Sequence, residues 1–258
     1  MADAKTFVVN APAWIDLSSK DAEGSRNFYS KLFGWKVDVQ GPESGGYALA
    51  RQGGKDVAGI GPAQDPNAPT AWSVYIGTKD AAATAKKAEA AGAKVIVPAF
   101  DVLESGTMAV FQDPSGAFIS VWQPKNMYGT ELVGKDGTYG WAELNARGID
   151  KATAFYTKVF GWTTKVSPMG EGQPDYTEFQ LDGQSIAGGM EMNPMVPKEV
   201  PSYWMVYFTV ADVDKSHKKA IDLGAQEMVP PQDFPGGRFS ILSDPQGAMI
   251  GLMNMSRR

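Results

Sequence analysis

The chain has 258 residues, a formal net charge of −5, one histidine and no cysteine. Without cysteine there are no disulfides, thiolate metal sites or cysteine nucleophile, and an acidic balance with no basic run argues against nucleic acid as a partner. No apolar run reaches membrane-spanning length and residues 1–10 hold no cationic or apolar signal-like region, so no membrane partner is expected and the expected setting is the cytoplasm.

Residues 13–17 alternate as a strand does, with Trp14 and Asp16 on one face and Ile15 and Leu17 on the other. Asp21 is placed to cap a helix that runs to Phe33; Phe28 and Leu32 sit four apart on its buried side, and Gly34 ends it. Residues 35–39, 47–51 and 56–61 read as three strands between glycine-rich turns. That completes one β-α-β-β-β unit. Gly59-Ile60-Gly61-Pro62 has no helix after it and is not a phosphate loop.

Residues 62–69 are a linker by composition. A second unit follows, with a strand at 72–76, a helix over 79–91 ending at Gly92, and strands at 94–97, 107–112 and 117–122. The last two are joined by the turn Asp113-Pro114-Ser115-Gly116. Residues 124–140 then join two halves, because the chain repeats itself. Asn27-Phe28-Tyr29-Ser30-Lys31-Leu32-Phe33-Gly34-Trp35 recurs 127 residues later as Ala154-Phe155-Tyr156-Thr157-Lys158-Val159-Phe160-Gly161-Trp162. Trp14-Ile15-Asp16-Leu17 recurs at the same offset as Trp141-Ala142-Glu143-Leu144. The expected domains are therefore 1–127 and 128–258, each of two units. In the second half Asp150 is expected to cap a helix to Phe160, with strands near 176–181 and 185–190 and a Pro-rich linker over 193–201. A strand at 203–210, a helix over 213–223 ending at Gly224 and a hairpin turning at Asp244-Pro245-Gln246-Gly247 complete the pattern.

Four β-α-β-β-β units, the repeated Phe-Tyr-x-x-x-Phe-Gly-Trp and two Asp-Pro-x-Gly turns resemble the vicinal oxygen chelate superfamily. That group includes glyoxalase I, extradiol dioxygenases and bleomycin-resistance proteins, and the likeness is nearest to two-domain glyoxalase-like proteins of actinobacteria. The resemblance implies an α+β fold, a tandem duplication whose four units form two cupped sheets with helices outside. It leaves activity open, since the superfamily holds both enzymes and binders. Its enzymes hold a metal through His, Gln or Glu on the first strand of each unit and a Glu on a last strand. Carried onto this chain, those positions are Trp14, Ser73 and Ser120 in one half and Trp141, Met205 and Gly251 in the other. Tryptophan offers only an N–H donor and methionine a soft thioether, so no metal and no cofactor are expected.

If the tryptophans replace inward ligands, residues two along the same strands share that face. The candidates for ligand binding are then Trp14, Asp16, Ser73, Tyr75, Ser120, Trp141, Glu143, Met205 and Tyr207. Trp14 and Trp141 read equally as plugs of the two cups and as walls on which a flat ligand stacks. Asp16 and Glu143 are candidate general bases if burial raises their pKa; the other reading gives them backbone N–H groups or Tyr and Arg neighbours to bond. No His, Ser or Lys partner can be placed beside them. The methionines of the second half are either core filling or an adaptable apolar lining. His217 borders the buried face of its helix and reads as a half-buried helix residue, since the first half has Ala85 there, or else as a proton carrier or lone ligand. The lysine pairs 86–87 and 218–219 read as solvated helix faces.

The expected function is metal-independent binding of an aromatic or apolar small molecule, such as a natural product or antibiotic, by a monomer or homodimer. The alternatives are a metal-free isomerase, lyase or hydroxylase-type enzyme using Asp16 or Glu143, and a protein-interaction module with vestigial cups.

Overall fold

The computed structural model describes residues 7–170 and 172–255; the N-terminal stretch read above lies outside them as far as residue 6. Four β-α-β-β-β units follow one another. The first is β1 (Pro12–Ser19), α1 (Ala22–Phe33), β2 (Lys36–Val39), β3 (Ala48–Gln52) and β4 (Lys55–Pro62). The second is β5 (Ala71–Gly77), α2 (Ala81–Ala90), β6 (Lys94–Val102), β7 (Gly106–Gln112) and β8 (Phe118–Pro124). The third is β9 (Thr138–Ala146), α3 (Ile149–Phe160), β10 (Thr163–Ser167), β11 (Tyr176–Leu181) and β12 (Gln184–Glu191). The fourth is β13 (Tyr203–Thr209), α4 (Val213–Asp222), β14 (Gln226–Phe234), β15 (Gly237–Ser243) and β16 (Met249–Met255). The chain is thus the expected α+β tandem duplication. No helix among the described residues is long and apolar enough to cross a membrane.

Each half builds one eight-stranded sheet, in the orders β2-β3-β4-β1-β5-β8-β7-β6 and β10-β11-β12-β9-β13-β16-β15-β14. Within a unit the first strand pairs parallel with the last, as Asp16 with Gly59 and Tyr75 with Ser120, and the others pair antiparallel. Packing divides the chain differently from pairing. One compact unit, A, comprises the described residues up to Trp14 together with 74–129 and 142–205; the other, B, comprises 15–73, 130–141 and the described residues from 206. Each therefore takes one helix from each half, α2 and α3 in unit A, α1 and α4 in unit B.

Three of the four helices begin on an aspartate cap, of which Asp21 was the one expected. Asp21 accepts from the Gly24 N–H at 2.9 Å, Asp80 from Ala83 and Asp212 from Lys215, each satisfying an amide the helix leaves unpaired. Gly34 takes the left-handed conformation at φ 75° that ends α1. At α3 the expectation fails. The cap residue is Gly148, with no side-chain bond of its own, and Asp150 lies inside the first turn. The Glu191 carboxylate on β12 accepts from the Gly148 and Ile149 N–H groups at 2.8–3.0 Å and does the work assigned to Asp150. Strand β6 also runs past its expected end, through Pro98, because it is an edge strand that shifts register between Val95 and Phe100. The ring falls where no ladder bond is lost. Strand β14 accommodates Pro230 and Pro231 in the same way.

The repeated motif has a packing explanation in each unit. In unit B the Trp72 Nε1–H donates to the Tyr29 hydroxyl at 2.9 Å, and that hydroxyl donates to Asp244 Oδ2 at 2.8 Å. In unit A Trp204 donates to Tyr156 and Tyr156 to Asp113 Oδ2, both at 2.8 Å. Each aspartate uses its other oxygen to hold its own Asp-Pro-x-Gly turn, Asp113 on Ser115 and Ala117, Asp244 on Gln246 and Ala248. Burial first, and then the carboxylate charge beside them, push both phenols well above their ordinary range, so they remain donors. The motif tryptophans also bond: Trp35 Nε1 donates to Gly137 O at 2.8 Å, and Trp162 Nε1 to Asn10 O. So the tyrosine of one half is anchored by the turn of the other half, twice.

Candidate functional site

On β1 and β8 one set of alternate side chains, Ile15, Leu17, Ile119 and Val121, is buried at 1% exposure or less. The candidate residues occupy the opposite, helix-free faces. They divide between the compact units: Asp16, Ser73, Trp141 and Tyr207 in unit B, and Trp14, Tyr75, Ser120, Glu143 and Met205 in unit A. The two copies are not buried alike. Trp14 is buried and Asp16 half-buried, whereas Trp141 is half-buried and Glu143 buried.

In unit A, Tyr75 stands opposite Ser120 on paired strands, and both are buried. The Tyr75 ring meets Trp122 edge-on, with centroids 6.5 Å apart, and Trp122 Nε1 donates to Met127 O. Strand register then sets Phe100, Met108 and Trp122 in one row across β6, β7 and β8. Phe100, at 45% exposure, is its open end. On β9, Glu143 accepts from Asn145 Nδ2 at 3.5 Å. Burial, and then the Glu143 charge, raise the Tyr203 phenol above its ordinary value. Gly188 stands opposite Glu143, and Glu178 opposite Gly188. Met205 is buried on β13. The methionines divide: Met192, Met205 and Met253 are buried, while Met169, Met195, Met228 and Met255 are exposed.

In unit B, Tyr47 donates to Asp16 Oδ2 at 3.4 Å, one of the services the sequence allowed a non-catalytic carboxylate. Asp16 stands opposite Gly59. Ser73 is half-buried, and Tyr207 is buried opposite Gly251. A Cβ on Gly251 would lie 2.0 Å from Tyr207 Cδ1, so the tyrosine ring fills the place a side chain would take there. Tyr207 also meets Phe239 at 6.5 Å between centroids, and Phe239 meets Phe234 at 5.8 Å.

This arrangement does not fit the superfamily's metal. The three positions of the first half present an indole and two hydroxyls; those of the second present an indole, a thioether and a glycine covered by a phenol ring. Hard and borderline divalent ions take carboxylate, imidazole or thiolate donors. Among the described residues no group of three or more His, Cys, Asp or Glu side chains is placed to hold one.

His217 is buried at 6% exposure rather than half-buried. Its Nε2 pairs with Glu227 Oε2 at 2.9 Å, and its Nδ1 has no partner among the described residues. Ser240 Oγ is likewise buried and unpartnered. Lys219 is exposed, as expected, and also reaches Leu32 O at 2.9 Å at the end of α1. Sequence reasoning missed Tyr47, Trp122 and the Phe100–Met108 row. The usable signal was Gly59 and Gly61, two apart on a strand and hence bare on one face.

A family model described as the glyoxalase/bleomycin resistance protein/dioxygenase superfamily matches residues 11–121 and again 138–252, and the chain belongs to that superfamily. Among its relatives, CFP32 of Mycobacterium bovis is 38% identical over 249 residues, covering 94% of each chain. The anthracycline biosynthesis protein DnrV of Streptomyces peucetius is 37% identical over 266 residues, covering 96% of this chain and 94% of DnrV. The Mn(II)-bound glyoxalase from Novosphingobium aromaticivorans shares the fold, with a TM-score of 0.66 at 18% identity, over 95% of this chain and 82% of the other.

Proposed function

We propose that the protein binds a planar aromatic small molecule on its helix-free faces and does so without a metal ion. The observation that carries this reading is the row Phe100, Met108 and Trp122 with Tyr75 set against Trp122, an aromatic and thioether surface open at one end. Such surfaces with a few placed polar groups are what small-molecule sites are made of, and here Ser120 supplies one such group. DnrV, named for anthracycline biosynthesis, makes a fused aromatic natural product a reasonable ligand class. The donor chemistry at the superfamily's metal positions supports binding without a metal.

The test is a titration of the whole protein with an anthraquinone, read by quenching of tryptophan fluorescence and by a rise in melting temperature. Saturable quenching is expected. Trp14→Ala and Trp141→Ala are each expected to weaken binding, once shown to be folded. Unchanged affinity in both folded variants would make the indoles plugs, and absence of saturable binding by any flat aromatic compound would overturn the proposal. A second reading, proton transfer by Asp16, draws support from its contact with Tyr47. Turnover of a bound compound that is lost in Asp16→Asn would favour it.

A further inference from the structure

Unit B holds a cleft of about 270 Å³ where the end of α1, the first turns of α4 and the connector before β9 come together. Its walls differ in sign. One is Leu32, Phe33 and Gly34, the last turn and cap of a helix whose final carbonyls carry partial negative charge. Another is Lys215, Ser216 and Lys219, which share one side of α4 at spacings of three and four. Asp136 and Gly137 close the third side. Asp136 Oδ1 accepts from the Ala211 N–H at 2.8 Å, and a Cβ on Gly137 would lie 3.1 Å from Phe33 Cβ. Lys215 is neutralised by Asp212, 2.7 Å away. Lys219 is not: its Nζ donates to the uncharged Leu32 O at 2.9 Å and has two more protons to give. The Ser216 hydroxyl and Asp136 Oδ2 have no hydrogen-bond partner among the described residues. A cation and a carboxylate thus line one cleft without pairing with each other. Unit A does not repeat this. In place of Lys215 and Ser216, α2 has Ala83 and Thr84, and Thr84 Oγ1 donates to Asp80 O at 2.7 Å.

We propose that this cleft binds a small aliphatic amino acid in its zwitterionic form. The ligand carboxylate goes to Lys219 and Ser216, two donors on one side of α4. The ligand ammonium goes to Asp136 Oδ2 and the negative end of α1. The ligand side chain rests on Phe33 and Val210, the apolar part of the lining. Neither charge alone satisfies the cleft. A carboxylate without an ammonium leaves Asp136 unanswered and sets a second negative charge near it, and an ammonium without a carboxylate does the same to Lys219. The cleft therefore selects for the two charges together. It is separate from the helix-free sheet faces, and its occupancy does not depend on the aromatic-binding reading above.

The experiment titrates the full chain calorimetrically with three probes. They are L-valine, 3-methylbutanoate, which is valine without its ammonium, and L-valinamide, which is valine without its carboxylate. None is aromatic, so the sheet faces do not compete for them. The parent protein is expected to bind valine about 10–100-fold more tightly than either analogue, the range of one hydrogen bond to a charged group. Lys219→Gln is expected to weaken valine and 3-methylbutanoate without weakening valinamide. Asp136→Asn keeps an acceptor for the Ala211 N–H; it is expected to weaken valine and valinamide without weakening 3-methylbutanoate. Lys86→Gln removes the same charge from an exposed position on α2 and is expected to change nothing. Circular dichroism identifies the variants that are folded, and the comparison of the three probes on the parent needs no variant. Absence of saturable valine binding, equal binding of the three probes, or a valine affinity unchanged in folded Lys219→Gln and Asp136→Asn would overturn the inference. A loss in Lys86→Gln as large as that in Lys219→Gln would also overturn it, by showing a general effect of charge.

Discussion

The two compact units are alike in their internal anchors and unlike on the faces away from their helices. Their anchors match almost atom for atom: tryptophan to tyrosine at 2.9 and 2.8 Å, tyrosine to aspartate at 2.8 Å in both. Elsewhere the copies have drifted apart. Ser120 in one corresponds to Gly251 in the other, Asp16 to Glu143, and Ala85 to His217. A buried phenol between an indole N–H and a carboxylate leaves no cheap substitution, since each loss orphans a buried polar group. A sheet face without such a network tolerates change. Duplication has thus kept the fastening and released the face.

The largest effect expected on this comparison comes from Asp113→Ala and Asp244→Ala. Each removes the acceptor of a buried phenol and of two turn amides, and each should cost about 3 kcal/mol or more, measured by urea denaturation. A large cost at one aspartate and none at the other would break the equivalence of the units. Tyr29→Phe and Tyr156→Phe come next, at about 1–3 kcal/mol each, since an indole N–H and a carboxylate oxygen lose their partner together. Similar values for the two would sharpen the comparison.

Ser240→Ala is expected to act the other way. Its hydroxyl is buried and has no partner among the described residues, and the first copy has Ala109 at the matching place. Removing it should stabilise the protein by about 1 kcal/mol, again by denaturation; a loss of stability would show that the hydroxyl is used. Asp244 gives a smaller, pH-dependent effect. Burial outweighs its hydrogen bonds and raises its carboxyl above the ordinary value. The unfolded chain titrates at the ordinary value, so this group's contribution is complete below that value and is lost as pH rises through the raised one. Asp244→Asn should remove that part of the slope, seen by comparing unfolding free energies across the acid range. Smallest of all is the effect of a chelator. Dialysis against one should leave melting temperature and ligand affinity unchanged, and elemental analysis should find no stoichiometric divalent ion. About one tightly held zinc, iron or manganese per chain would overturn the metal-free proposal.

Much of the fold was legible because it is written twice. The offset between Phe28 and Phe155 gave the units, and the Asp21 cap acts through a neighbour only three residues away, which a local reading can see. The cap of α3 was misread because Glu191, which holds it, lies 42 residues from Ile149. Nor could a repeat say which copy of the turn meets which copy of the tyrosine, since the two turns read alike. Trp14 was singled out because it stands at the superfamily's ligand position, and Asp16 because it shares that strand face. Tyr47 was missed because it precedes β3, and its place over Gly59 depends on the pairing of β3 with β4 rather than on any sequence pattern.

The exchange of anchors also sets an order of assembly. Tyr156 and Asp113 are 43 residues apart, whereas Tyr29 and Asp244 are 215 apart. As the chain leaves the ribosome, the second and third modules have everything their anchor needs once Trp204 has emerged. The first module, made earliest, keeps its tyrosine waiting until nearly the last residues arrive. The middle of the chain can therefore close first and the two ends last, the slower step being the one that joins the most distant residues. A protein cut short before its final hairpin would lack Asp244 and leave the motif nearest its beginning with an empty clasp.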